Sequence, residues 1–168
     1  DGDDDAVTAC HLAWIDDQSG ERMRHDVVVA LMPVSLPGNS DSAAEKQEHA
    51  VEFQLTFRPG MNRDRVVLQQ TNFGFLAVRV AKSLSGYFGG GRLTNPDGVS
   101  GEKSLHEQNA KWMDYSGPLA VPFAEGRKVI EEGITYFDHP DNPSHPTFWH
   151  VRLYGWMGAS PGMKTEFV

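Results

Sequence analysis

The sequence predicts an all-β protein, an antiparallel β-sandwich. Three observations point there. Apolar and polar residues alternate with period two in several separate runs. Seventeen glycines and ten prolines in 168 residues supply frequent turns. Helical composition is confined to one short stretch, Ser42–His49 (SAAEKQEH), which lacks an apolar stripe of its own.

Taken in order, residues 1–7 open DGDDD and read as a disordered, solvated acidic end. There is no initiating Met and no leader, as expected of a trimmed chain or a piece of a longer protein. A single sandwich domain is expected over residues 8–168. Thr8–Ile15 reads as a strand, DDQSGE as a turn, and Arg22–Met32 as its hairpin partner. Pro33–Ser42 is a loop. Ala50–Arg58 sets Val51, Phe53, Leu55 and Phe57 against Glu52, Gln54, Thr56 and Arg58, which is a half-buried strand. Arg65–Gln70 and Phe73–Val80 read as further strands, and Tyr87–Gly101 as loop. The triple glycine Gly89–Gly91 lacks the spacing of a phosphate cradle and reads as a turn. Leu105–Tyr115 runs into a turn at SGP, and Gly126–Ile130 and Gly133–Phe137 follow as two short strands.

Composition narrows the function. The formal charge is −8 with no Lys/Arg cluster, which disfavours nucleic acid as a partner. No apolar run approaches the ~20 residues of a membrane helix. Cys10 is the single cysteine, so an intrachain disulfide and a Cys-based zinc site are both excluded. The compartment, cytoplasm or periplasm, stays open.

Chemistry gathers in Gly133–Gly155, GITYFDHPDNPSHPTFWHVRLYG. Pro140, Pro143 and Pro146 stiffen a loop that also holds Asp138, His139, Asn142 and His145. Beyond it, Thr147, Trp149, Val151 and Leu153 alternate with Phe148, His150, Arg152 and Tyr154. The first set reads as core. The second places an imidazole, a guanidinium and two aromatic rings on one face. Such a face is commonly a half-solvated sheet surface, but as a group it resembles a polar site with aromatic walls. His150 suits proton transfer, with Asp138 or a distant Glu fixing its tautomer, and Arg152 suits an oxyanion or carboxylate. The spacing His139-x5-His145-x4-His150 fits no standard zinc pattern, so no metal and no other cofactor is expected. No GxSxG elbow occurs, which leaves nucleophilic hydrolysis unsupported.

Three segments, FGFLAVRVAKSLSG, GEKSLHEQNAKWMDYSGP and the Gly133–Gly155 stretch, resemble motifs of the bacterial domain family labelled "methane oxygenase PmoA". The resemblance spans roughly Cys10 to Pro161. The label itself is not the function, since a methane monooxygenase subunit of that name would be an intrinsic membrane protein. The resemblance implies a sandwich like the galactose mutarotase supersandwich, lacking an upstream half of the family domain. It also implies a setting in bacterial carbohydrate breakdown, and it marks Arg79, Trp112 and Asn142 as further site positions.

The expectation is a carbohydrate-active protein with a small sugar or sugar acid as its partner. His150, His139 and Asp138 are the candidate catalytic residues. Arg152, Tyr154, Arg79, Asn142 and Trp112 are the candidate ligand-binding residues. The alternative is a non-catalytic sugar-binding or structural β-sandwich module.

Overall fold

A computed structural model describes residues 6–18, 20–34, 48–123 and 126–167. Every strand pairing in it is antiparallel. The chain divides into two compact units, one running up to Val66 and the other spanning Val67–Phe167.

The first unit is a meander of β1 (Ala6–Ile15), β2 (Glu21–Val34) and β3 (Glu48–Pro59). Residues directly opposite one another in an antiparallel pair share a face. Trp14 opposes Met23, Leu12 opposes His25, and Val29 opposes Phe53, so one face is apolar. The other is polar, with Asp26 taking His11 at 2.7 Å and also pairing with Arg58. This is the alternation legible in the Ala50–Arg58 run. His25 lies on the apolar face, stacked on Phe57 at 4.2 Å between centroids, and neither ring nitrogen has a hydrogen-bond partner among the described residues. Residues 1–5 of the expected acidic end lie outside the described residues, and β1 begins at Ala6. The helix expected at Ser42–His49 lies outside them up to residue 47, while Glu48 and His49 open β3.

The second unit is a small sandwich of two three-stranded sheets. One has the order β4 (Ala77–Arg79), β9 (Trp156–Ala159), β8 (Trp149–Arg152). The other has the order β5 (Arg92–Thr94), β6 (Trp112–Phe123), β7 (Gly126–Phe137). Leu93, Met113 and Tyr115 from the second sheet meet Trp149, Val151 and Met157 from the first in one closed core. Burying each such side chain fully contributes roughly 1.5–3 kcal/mol. Trp149 packs edge-to-face on Tyr136 at 5.0 Å and donates its indole N–H to the Ala110 carbonyl at 2.9 Å. A buried indole is thereby satisfied.

Several boundaries differ from the sequence reading. Leu153, expected in the core, is 38% exposed because β8 stops at Arg152 and the chain turns at Gly155, whose φ of 96° suits glycine. The expected Arg65–Gln70 strand is reduced to a single bridge between Leu68 and Phe167. The Tyr87–Gly101 loop contains β5, and a four-residue helix α1 (Glu102–Leu105) follows it. Ser116–Pro118, read as a turn, lies inside β6 opposite Glu131–Gly133, and β7 is continuous where two strands were expected. At Gly117 a side chain would strike the Gly91 backbone, which leaves room there only for glycine. The glycine triplet is a turn, as expected. Side chains at Gly89 and Gly91 would strike the carbonyls of Ser83 and Leu84.

Candidate functional site

The register of the β4–β9–β8 sheet builds a row across three strands. Arg79 lies opposite Trp156, and Trp156 opposite Arg152. All three point away from the core that Val78, Met157 and Val151 enter. The next row is Ala77, Gly158 and His150, and its two small members leave space over the sheet. The segment carrying Asn72 and Phe73 borders that space. The Asn72 carbonyl accepts hydrogen bonds from His150 Nδ1 at 3.0 Å and from Ser160 Oγ at 2.8 Å. The result is a pocket of about 390 Å³, within the usual range for small-molecule sites. Its walls are Asn72, Phe73, Tyr154 and Trp156, and its cationic or basic groups are Arg79, Arg152 and His150.

Arg79 lies over the Tyr154 ring at 5.2 Å and the Trp156 ring at 5.4 Å. Two aromatic faces hold the guanidinium by cation–π attraction. It has no carboxylate partner among the described residues. Arg152 is held differently. One of its nitrogens donates to the Val151 carbonyl at 3.1 Å and stands 3.6 Å from Glu102 Oε1. The second Glu102 oxygen accepts the Leu153 N–H at 2.7 Å. Glu102 is therefore a partly exposed neighbour at the start of α1, and its ion pair with Arg152 is loose.

His150 is 5% exposed, with Phe73, His106 and Trp156 around its ring at 5.0, 5.1 and 6.5 Å. Burial, then the nearby Arg152 and His150, hold the His106 imidazole below its ordinary range. His106 Nδ1 accepts the Val151 N–H at 3.4 Å. Behind the sheet, the Tyr115 hydroxyl donates to the Leu153 carbonyl at 2.9 Å and accepts the Gly86 N–H at 3.1 Å. That fully buried strut fixes the turn from which Tyr154 projects.

Arg79, His150, Arg152 and Tyr154 are thus brought together, while Asp138, His139, Asn142 and Trp112 are not among the pocket's walls. Asp138 is a buried clamp. Its carboxylate accepts hydrogen bonds from Asn142 Nδ2 at 2.9 Å, His145 Nδ1 at 2.9 Å and the Thr147 N–H at 3.1 Å. The proline-rich loop, including a cis His145–Pro146 bond, closes around it. His139 is exposed, with Nδ1 accepting the Asp141 N–H at 3.1 Å. Trp112 packs on Phe137 at 6.4 Å. Asn72, Phe73 and Trp156 were not foreseen. Trp156 does extend the even-numbered series His150, Arg152, Tyr154, whereas Asn72 and Phe73 carry no comparable signal. Among the described residues, no group of three or more His, Cys, Asp or Glu side chains is placed to hold a metal ion.

Fold and site together define an antiparallel all-β protein with a cationic, aromatic-walled pocket on one sheet of a small sandwich. The chain belongs to a family of unknown function (DUF6807), whose model matches residues 1–167. No curated protein and no solved structure matches it. The likeness to the "methane oxygenase PmoA" family is corrected by this finding, since the family match goes to DUF6807. Of the segments that suggested it, the Gly133–Gly155 stretch holds a local clamp around Asp138. A local clamp restrains a loop without identifying the rest of a chain. The mutarotase-like supersandwich loses its basis with that likeness.

Proposed function

We propose that this pocket binds a carboxylated sugar, a uronic acid or an oligosaccharide containing one. One observation carries the reading. Arg79 and Arg152 share a concavity whose walls, among the described residues, include no carboxylate, Glu102 approaching Arg152 from outside them at 3.6 Å, in a chain whose formal charge is −8. Two guanidinium groups in one pocket repel each other unless an anion lies between them, and their planar forks match a carboxylate. Phe73, largely exposed at the pocket, and Tyr154, 43% exposed with Arg79 over its ring, offer apolar surface for one side of a sugar ring. Long-range repulsion by the acidic chain is damped beyond about 8 Å at physiological salt, so the local cations dominate at contact.

Calorimetric titration tests this. Glucuronate and galacturonate should bind, and glucose and galactose should bind at least tenfold more weakly. Arg79→Ala and Arg152→Ala should each weaken uronate binding about ten- to hundredfold, as loss of a charge-assisted hydrogen bond of ~1.5–3 kcal/mol implies. Equal affinity for acid and neutral sugars, or variants that bind like the parent protein, would sink the reading.

A further inference from the structure

We propose that His150 is a general base that removes the proton from the carbon bearing the carboxylate of a bound uronate, so that the pocket performs chemistry as well as binding. The inference rests on the reading of the pocket as a uronate site and adds a reaction to it.

The argument begins with the tautomer. A backbone carbonyl can only accept, so the Asn72 oxygen 3.0 Å from His150 Nδ1 requires the hydrogen on that nitrogen. In the neutral ring the lone pair is then on Nε2, which has no hydrogen-bond partner among the described residues. His150 is one of the pocket's walls, and the rings of Phe73, His106 and Trp156 restrain it. A base with a set tautomer, a restrained ring and an unpartnered lone pair is already organised for proton transfer.

The arginines supply the other half. A C–H next to a carboxylate is a very weak acid, because removing its proton puts a second negative charge on the same group. Arg79 and Arg152 on that carboxylate offset the developing charge where it appears. In the step, the C5–H bond of the uronate breaks and an Nε2–H bond forms. The electron pair stays on the substrate as an enediolate held by the two guanidiniums. Return of a proton from solvent restores the sugar. In a 4-linked oligouronate the pair instead forms a C4–C5 double bond, the C4–O bond breaks, and the departing oxygen takes a proton from water. Among the described residues, the charged and titratable groups around His150 are Arg79 from β4, Arg152 from β8, Tyr154 from the turn after it, Glu102, His106 and Glu107 from α1 and the chain just after it, and Lys164 beyond Glu107. His106 is held toward its neutral form, which spares His150 a second imidazolium beside it.

The test uses the full chain with 4-linked oligogalacturonate and 4-linked oligoglucuronate in deuterated water. Proton NMR follows loss of the H5 signal, ultraviolet absorbance follows an unsaturated uronate product, and calorimetry measures binding in parallel. The expected result is H5 exchange or unsaturated product with at least one probe, with a rate that rises with pH to a plateau as the base loses its proton. His150→Gln should lower that rate at least a hundredfold while binding stays within about fivefold. If that variant does not fold, the pH profile of the parent protein decides alone. Binding with neither exchange nor product overturns the inference and leaves the pocket reading standing. So does a rate that does not fall at low pH. Absence of binding by both probes overturns the pocket reading, and the inference with it.

Discussion

Glu102 brings a carboxylate up to one of the pocket's two arginines. Its carboxylate lies 3.6 Å from the Arg152 guanidinium, where it competes with any anion that Arg152 could receive. Glu102→Gln keeps an oxygen for the Leu153 N–H and removes the competing charge. Uronate binding should tighten by up to about fivefold in calorimetry, the ~1 kcal/mol upper range of a solvent-exposed pair. Unchanged or weaker binding would place the anion elsewhere. Asp138 is the opposite case, a buried carboxylate that accepts from three donors of its own loop. Asp138→Ala leaves those donors unpaired and should cost about 2–4 kcal/mol in denaturant melts. Uronate affinity of the surviving folded fraction should stay as it was. A pocket lost at unchanged stability would show that the loop, and not the sheet, carries the site.

Strands explain what the sequence revealed of the site and what it concealed. The side-chain alternation of β8 is a local property, so Trp149 and Val151 as core and His150 and Arg152 on the other face could be read directly. Phe73 and Asn72 reach the same space through a hydrogen bond between residues 78 apart in sequence, and no periodicity records that. Short strands hid for the same reason. β9 is four residues, Trp-Met-Gly-Ala, with too few alternations to separate it from loop, and it is defined by its neighbours β4 and β8. Asp138 and His139 are not among the pocket's walls, and in sequence a stiff Asp-His-Pro loop looks alike whether it frames a ligand or its own carboxylate. In the first unit, β2 carries a different consequence. His25 lies between the rings of Phe57 and Trp14, with Leu12 opposite and, among the described residues, no charged group directly opposite it on that face. Burial lowers its pKa from 6.5, so folding favours the neutral ring. Above the unfolded value both states are neutral and this contribution to stability is complete. As pH falls through that value toward the folded one, the unfolded chain binds the proton first and stability is lost. Thermal melts at about pH 5 and about pH 7.5 should show this sheet weakening in acid, and His25→Phe should reduce the difference. An equal acid loss in that variant would assign it to other groups.

At the scale of the molecule, every wall of the pocket lies between Asn72 and Trp156, inside the second unit. The chain has four tryptophans, and of these Trp156 is the one at the pocket. Trp149 is sealed in the core and Trp112 leans on Phe137, so a ligand in the pocket touches neither. The Arg79 guanidinium over the Trp156 indole therefore acts as an optical probe already in place. A cation resting on an indole perturbs its excited state, and an anion that draws the cation away alters that perturbation. Uronate should change the tryptophan emission of the unlabelled protein in a saturable way, and Trp156→Phe should abolish the change while binding remains detectable by calorimetry. The same contact that holds the guanidinium over the indole would make occupancy of the pocket visible as light.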